Sequence, residues 1–218
     1  MTVLLFISTI AVFLTIDFFV RRNKAAVTVT QTLVRKPIPI PMRIPAGIFF
    51  TKSHTWLSLF PSGKVQLGID DFLARMFSAP KITMLKNNSE HVSKGEPILR
   101  VNERNNEVIV RSPIDGVVDN VNTTLVKRPS LLSEALFSEG WAYTITPTNT
   151  NDLQSFYLGD DSGIWLRKEL GRLRDFFAHL TTPVPAFMQD GGFPTSGIMD
   201  NLNPDQCKKF ENEFLRID

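Results

Sequence analysis

Residue types that carry out enzyme chemistry are sparse and scattered in this 218-residue chain. The single cysteine, Cys207, excludes an internal disulfide and any multi-cysteine zinc or iron–sulfur site. The three histidines, His54, His91 and His179, lie far apart in the sequence and form no pair with metal-ligand spacing. The chain also lacks a nucleophile–base motif, a phosphate-binding glycine loop and an H-E-x-x-H zinc motif. We therefore predict that the chain is not an enzyme and has no metal site or cofactor of its own.

Two pairs of adjacent acids, Asp70-Asp71 and Asp160-Asp161, are the remaining candidates for acid–base chemistry. Adjacent acids in a turn or at the start of a helix usually cap the helix, and we expect that role here. For Cys207 we expect a small buried side chain rather than a nucleophile.

Charge is distributed unevenly along the chain, although the formal net charge is only +2. Residues 1–20 carry Asp17 as their one charged side chain, and residues 21–45 carry six basic residues and no acid. The rest of the chain is mildly acidic. This is not the charge of a nucleic-acid binder, so we predict no nucleic-acid partner. A basic stretch beside an apolar one is typical of a membrane flank.

The N-terminal residues 3–20 are apolar apart from Ser8, Thr9, Thr15 and Asp17. A helix of this length spans roughly 27 Å, close to the ~30 Å of a bilayer core. No positive side chain precedes the run and no A-x-A site follows it, which favours a retained single-pass transmembrane helix over a cleaved signal peptide. Because the basic residues follow the span, we predict a bacterial cytoplasmic (inner) membrane protein with its C-terminal body in the cytoplasm.

Candidate membrane and partner contacts lie in the predicted span, just after it, and near the C-terminus. Asp17 lies about one turn from the end of the span, where it either reaches the interface and pairs with Arg21 or contacts a partner helix. The candidates are Phe6, Phe13, Asp17, Phe18, Arg21, Arg22, Lys24, Phe210 and Phe214.

The proline-rich segment 37–45 predicts an extended spacer, either a plain tether or a strip lying on a partner subunit. We accordingly divide the chain into a transmembrane anchor (1–22), a basic linker (23–47), a β domain (48–160) and a C-terminal helical extension (161–218).

Short strand-like runs separated by turn signals fill most of the β domain, and they indicate a small barrel or sandwich. Pro61-Ser62-Gly63 and Ser112–Gly116 mark two of the turns. One or two helical turns are expected over residues 70–76. The predicted strands are residues 55–60, 64–69, 81–85, 97–101, 107–111, 117–121 and 141–146.

The C-terminal extension contains two predicted helices separated by a proline- and glycine-rich loop. Apolar residues spaced by three and four predict an amphipathic helix over 164–180. Asn203-Pro204-Asp205-Gln206 has the pattern of a helix start and places Cys207, Phe210 and Phe214 on one face. The sequence leaves open whether this tail packs on its own barrel or on a partner.

Six short segments, in order, resemble motifs of the H protein of the glycine cleavage system. The resemblance covers residues 50–147 and implies a small lipoyl/H-protein-like β barrel-sandwich, which makes the chain mainly β. Ser133 stands where the family has Asn. The segments are Phe50–Trp56 (T-K-x-H-x-W), Val65–Asp70 (V-x-x-G-I-T/D), Val92–Pro97 (V-x-K-G-E-P), Ser112–Gly116 (S-P-x-x-G), Pro129–Ser133 (P-x-L-x-N) and Glu139–Trp141 (the end of G-E-G-W).

The same resemblance implies a position for the lipoyl lysine, ten residues after Gly95 and eight before Pro113. Both counts lead to Asn105, whose amide offers no nucleophilic amine, and the neighbouring Arg104 stays protonated. The chain therefore resembles a degenerate member that has lost its swinging arm, with no cofactor at the expected site. A polar hairpin turn is the simplest role for Asn105-Asn106.

Two functions remain open. The first is a non-catalytic accessory subunit that docks on the other subunits of a larger membrane complex for respiratory or photosynthetic electron transfer. One span with a small cytoplasmic β domain is similar in architecture to the reaction-centre H subunit. The second is a membrane-tethered carrier modified on another lysine, for example Lys86 or Lys94.

Overall fold

Ten β-strands form the main part of the fold in the computed structural model, which describes residues 42–180 and 197–217. The longest is β6, which forms a hairpin with β7. The strands are β1 (Ile48–Phe50), β2 (Thr55–Leu59), β3 (Val65–Ile69), β4 (Lys81–Met84), β5 (His91–Val92), β6 (Pro97–Glu103), β7 (Asn106–Arg111), β8 (Gly116–Val121), β9 (Tyr143–Pro147) and β10 (Tyr157–Leu158).

The strands form two antiparallel sheets. The larger has the order β10-β1-β2-β3-β9-β8-β5, and the smaller has the order β4-β6-β7. The predicted mainly β architecture with C-terminal helices is thus confirmed. Strands β1, β5 and β10, each two or three residues long, were not predicted, because runs this short carry no periodic signal.

Five α-helices and two 3₁₀ helices connect or follow the strands in the described residues. The 3₁₀ helices cover Thr150–Ser155 and Ile198–Asn201. The α-helices are α1 (Asp71–Ala74), α2 (Thr123–Lys127), α3 (Leu131–Glu134), α4 (Asp160–Ala178) and α5 (Pro204–Phe214).

Side chains at the helix starts account for the helix boundaries. Asp70 caps α1 by accepting a hydrogen bond of 2.9 Å from the Leu73 amide, as expected for an acidic pair. Helix α4 begins at Asp160, four residues before the predicted start, with both acids of its pair in the first turn where the helix dipole favours them. The predicted start of α5 is confirmed as a full capping box between Asn203 and Gln206.

A close aromatic contact organises the centre of the larger sheet. Trp56 on β2 is completely buried and lies opposite Gly68 on β3. A Cβ atom at Gly68 would lie 2.7 Å from the indole Nε1 atom, so only glycine leaves room for the ring. The indole therefore packs flat against the backbone of the neighbouring strand.

The linker joins the β domain through a clamped arginine. The Arg43 guanidinium donates bonds of 2.7 and 3.0 Å to Asp71, and its backbone amide donates another of 3.1 Å. Arg75 binds the same carboxylate at 2.9 Å. Asp71 is almost fully buried, so its charge is matched by two arginines. This pairing holds Arg43 against α1.

No helix in the stretches 42–180 and 197–217 is both long enough and apolar enough to cross a membrane. The predicted span at residues 3–20 lies outside the described residues, and so do most of the predicted membrane and partner contacts. Those contacts are Phe6, Phe13, Asp17, Phe18, Arg21, Arg22 and Lys24.

The contact of Trp56 with Gly68 predicts opposite effects for two glycine-to-alanine substitutions. We expect Gly68→Ala to lower the free energy of unfolding by about 1–3 kcal/mol, because the added methyl overpacks a filled core. Gly171→Ala, in open space on α4, should raise it by about 1 kcal/mol through helix propensity. Urea unfolding of the full-length chain in mild detergent measures both. A Gly68→Ala variant as stable as the parent would contradict the packing described here.

Candidate functional site

The β6–β7 hairpin contains the position that the resemblance assigns to a lipoyl lysine. Glu103 pairs with Asn106 across a two-residue turn made of Arg104 and Asn105. Arg104 has a φ of 52°, in the left-handed region that tight hairpin turns require. Both turn residues are exposed. A polar hairpin turn is present as predicted, but it consists of Arg104 and Asn105, and Asn106 is the first residue of β7 rather than part of the turn. The tip displays a guanidinium group and an amide.

Asn106 anchors the C-terminal segment to the base of this hairpin. Its side chain is buried, and Nδ2 donates to the carbonyl oxygens of Met199 at 2.6 Å and Leu202 at 2.8 Å. These carbonyl groups belong to the 3₁₀ helix and the residue that follows it. At the hairpin tip, the Arg104 guanidinium lies 3.4 Å from the Asp200 carboxylate. Residues that lie 93 to 96 positions further along the sequence are thereby held against one β-turn.

Glu103 anchors the other side of the hairpin base. Its buried carboxylate accepts hydrogen bonds from the backbone amides of Ser78 and Ala79, in the turn after α1. The C-terminal segment approaches the same turn closely, since a Cβ atom at Gly197 would lie 1.7 Å from the Ser78 Oγ atom. Gly197 also has a φ of 85°, so this position requires glycine both for space and for conformation.

Two main-chain hydrogen bonds complete this contact. The Gly197 amide donates to the Arg75 carbonyl at 3.1 Å, and the Met199 amide donates to the Met76 carbonyl at 3.0 Å. The C-terminal segment therefore docks through its backbone as well as through Asn106.

Helix α5 continues along β7 from this anchor. The Cys207 thiol donates to the Glu107 carbonyl at 3.3 Å, and the Ile109 amide donates to the Glu211 carboxylate at 3.3 Å. Burial raises the pKa of the Cys207 thiol to about 11, and the thiol is thus held neutral. Cys207 is the small buried residue that the sequence predicted.

A buried histidine lies where the β domain meets helices α4 and α5. His54 stacks on Phe72 with ring centroids 3.8 Å apart, and Trp165 covers it at 5.1 Å. Its Nδ1 atom lies 2.8 Å from an Asp70 oxygen, within hydrogen-bond distance. Its Nε2 atom lies 3.8 Å from a Glu169 oxygen, which is an ion-pair distance but too long for a hydrogen bond. One imidazole thus connects a loop carboxylate to a helix carboxylate.

The electrostatics of this histidine favour its charged form. Burial lowers the pKa of His54, but the charge and hydrogen bond of Asp70 and the proximity of Glu169 outweigh burial and raise that pKa above the ordinary 6.5. Burial likewise raises the pKa of Glu169, but His54 and Arg172 together hold it below its ordinary 4.5. Arg172 binds the Glu169 carboxylate at 2.8 Å. The cluster is therefore an ion pair network within the fold.

The two lysines considered as alternative modification sites, Lys86 and Lys94, lie outside the β6–β7 hairpin. Lys86 is half-buried and its amine forms an ion pair with the Glu96 carboxylate, which holds the pKa of Glu96 below its usual value. Lys94 is exposed in the turn after β5, and its backbone amide donates to Asp115 at 2.7 Å. Within the described residues, no group of three or more His, Cys, Asp and Glu side chains could hold a metal ion.

The structure places Phe210 and Phe214 in the protein's own core, although the sequence analysis named them as membrane or partner contacts. They are 0% and 1% exposed and stack on each other with ring centroids 4.9 Å apart. Phe214 also packs against Phe72 at 5.7 Å. The amphipathic pattern identified the apolar face of α5 correctly, but this face covers the β domain.

Sequence reasoning missed the anchoring residues Glu103, Asn106 and Gly197. One signal was available for Asn106, which alternates with Val108 and Val110 and so stands on the inward face of β7. An amide on an inward face requires buried hydrogen-bond partners. No local pattern shows that those partners are about 93 residues away.

Comparisons with known proteins agree on one family. The Glycine cleavage H-protein family matches residues 48–164. The Probable glycine cleavage system H protein of Picrophilus torridus is 29% identical over 109 residues, covering 50% of this chain and 86% of that protein. The Glycine cleavage system H protein of Stenotrophomonas maltophilia is 30% identical over 110 residues, covering 50% and 84%. A solved structure, the glycine cleavage system H protein from Mycobacterium marinum, is 26% identical, with a TM-score of 0.45 and coverage of 48% and 87%.

The two neighbouring asparagines of the hairpin allow a matched test of the anchor. We expect Asn106→Ala to lower the free energy of unfolding by about 1–3 kcal/mol, because two buried carbonyl groups lose their donor. It should also speed amide hydrogen exchange in residues 198–215. Asn105→Ala, one residue away and exposed, should stay within about 0.5 kcal/mol of the parent. Equal exchange rates in the two variants would show that Asn106 does not hold the segment.

The raised pKa of His54 predicts a pH dependence of stability. Since the folded state binds the His54 proton more tightly than the unfolded chain does, its stabilisation is complete below pH 6.5 and is lost as pH rises through the folded-state pKa. The stability advantage of the parent over His54→Gln should therefore shrink as the pH rises above 6.5. Urea unfolding midpoints measure this difference. His179→Gln, at an exposed histidine, is the control, and an advantage that grows with pH would overturn the assignment.

Proposed function

This chain belongs to the glycine cleavage H-protein family, and we propose that it is a non-catalytic accessory subunit rather than a lipoyl carrier. In this proposal an N-terminal span anchors it in the bacterial cytoplasmic membrane. The H-protein-like domain, in the cytoplasm, docks on the larger subunits of a respiratory or photosynthetic electron-transfer complex.

The observation that carries the proposal is the chemistry of the hairpin tip. A carrier needs a primary amine there for amide formation, and this tip has Arg104 and Asn105. A guanidinium group stays protonated and an amide nitrogen is not nucleophilic. The cofactor of a carrier therefore has no attachment point at the position that the resemblance implies.

A second observation supports a fixed rather than a mobile hairpin. The C-terminal segment binds the hairpin base, because Asn106 donates hydrogen bonds to the carbonyl groups of Met199 and Leu202. Helix α5 of the same segment then packs along β7. These C-terminal residues lie outside the family match, which ends at residue 164. The extension thus adds contacts that hold the β6–β7 hairpin, the element that would carry the lipoyl group in a carrier. A hairpin held in this way fits a domain that docks on a partner.

The alternative, a carrier modified at another lysine, meets a difficulty at Lys86. Its side chain is half-buried and its amine is held in an ion pair with Glu96, so acylation there would have to break this contact. Lys94 is exposed and remains the site that this alternative would use.

The proposal predicts stable co-migration with larger membrane subunits and an unmodified intact mass. Native membranes solubilised in mild detergent would be separated by size, and the fractions containing this chain identified by mass spectrometry. We expect the full-length chain to migrate with subunits that carry haem or pigment. Its intact mass should equal that of the polypeptide, because no lysine is acylated.

The two readouts separate the alternatives. Migration as a lone small protein would reject the accessory-subunit proposal. A mass increment of one acyl group on Lys94 or Lys86 would support the carrier instead. A matched sample washed in high salt distinguishes an integrated subunit, which stays bound, from a loosely adsorbed one.

A further inference from the structure

A groove with a volume of about 730 Å³ runs along the outer edge of β4. The four-residue strand forms one wall, and the facing wall comes from the end of β8 and from helix α2. None of its lining residues belongs to the hairpin tip or to the His54 cluster.

The first property of the groove is an unpaired strand edge. Among the described strands, β4 pairs with β6 alone and is therefore the edge of its three-stranded sheet. The Leu85 amide donates to the Ile98 carbonyl, and hydrogen-bonded positions alternate along an antiparallel pair. The backbone groups of Ile82 and Met84 consequently point away from β6. They offer donors and acceptors to a further strand.

The second property is an apolar lining of suitable extent. Met84 on one side of the groove and Val121 and Val126 on the other supply apolar surface, and Val126 is 40% exposed. Ile82 is 2% exposed and contributes its backbone edge. The strand edge is roughly 13 Å long at about 3.3 Å per residue. An extended segment of a few residues matches this length, and alternate side chains of such a segment would contact the apolar lining.

The third property is the charge of the rim. Lys81, Lys86 and Lys127 line the groove, and none of its described lining residues carries a carboxylate. Lys86 is neutralised by Glu96, which leaves Lys81 and Lys127 without a carboxylate partner among the described ion pairs. Both are exposed. The rim thus presents two free positive charges to an occupant.

We infer that the β4 groove binds an extended acidic segment of a partner protein, which adds to the small sheet as a fourth strand. The unpaired backbone row supplies main-chain hydrogen bonds, the apolar lining supplies burial, and the free lysines select acidic residues. A second copy of this chain is disfavoured as the occupant, because two β4 strands side by side would bring their lysine rims together. The inference rests on the proposed docking function and identifies a surface for it.

A defined peptide tests the groove directly. The probe is a dye-labelled eight-residue peptide of alternating glutamate and valine, titrated into the full-length chain in mild detergent and followed by fluorescence anisotropy. We expect saturable binding, weakened at least tenfold by the double variant Lys81→Glu, Lys127→Glu. The matched double variant Lys168→Glu, Lys208→Glu makes the same charge change on exposed lysines of α4 and α5, and should bind within twofold of the parent.

Two further peptides separate strand addition from simple charge attraction. A peptide with lysine in place of glutamate should not bind. An acidic peptide N-methylated at alternate residues cannot donate the main-chain hydrogen bonds, and we expect it to lose at least tenfold in affinity. The inference is wrong if the parent shows no saturable binding, if either modified peptide binds as well as the probe, or if the two double variants bind alike. Self-association of the peptide-free chain that Lys81→Glu abolishes would identify a second copy as the occupant and also overturn it.

The same variants separate this inference from the proposed function. If the parent chain and the Lys81→Glu, Lys127→Glu variant both co-migrate with the complex, the accessory role stands and the groove is not its docking surface. If the parent itself fails to co-migrate, the proposed function fails, while the peptide titration still decides whether the groove binds an acidic strand.

Discussion

The buried side-chain amide of Asn106 is the constraint from which the arrangement of the C-terminal half follows. An amide on the inward face of a strand is costly to bury unless it is hydrogen-bonded, and here its Nδ2 group donates to the carbonyl groups of Met199 and Leu202. These bonds place the 3₁₀ helix at the base of the hairpin. Gly197 can then lie against Ser78, and α5 must continue along β7.

From that starting point α5 brings its last turn to the buried histidine. Phe214 lies 6.3 Å from the His54 ring and 5.8 Å from Phe176 of α4, so one aromatic cluster joins both helices to the β domain. Arg172 adds a polar connection, since it binds Glu169 beside His54 and also lies over the Phe214 ring at 5.0 Å. The position of each helix consequently depends on that of the other. The Asn106 anchor and the His54 cluster are two ends of one packed extension.

Local sequence signals predicted a large part of the fold. The turn residues at 61–63, the strand-like runs at 64–69 and 107–111 and the capping box of α5 depend on neighbours within a few residues, and each is found in the structure. The Asn106 and Gly197 anchors and the contacts of His54 with α4 and α5 join residues more than 90 positions apart, for which a single sequence holds no periodic signal. The hydrophobic face of α5 illustrates this difference. Its local spacing predicted an apolar face, but the sequence did not show that this face covers the protein's own β domain.

The C-terminal extension changes how an H-protein-like domain can meet a partner. With the Glu103 carboxylate and the Asn106 Nδ2 group hydrogen-bonded inside the chain, the hairpin base is held in place, and little conformational entropy remains there to be lost when a partner binds. The β4 edge, by contrast, keeps its outward backbone row and two lysines uncompensated among the described residues. A partner gains binding free energy from the unpaired backbone groups and lysines of the β4 edge. The rigidity of the rest of the domain lowers the conformational entropy that is lost on binding. A domain built in this way is suited to holding a partner rather than to moving a cofactor.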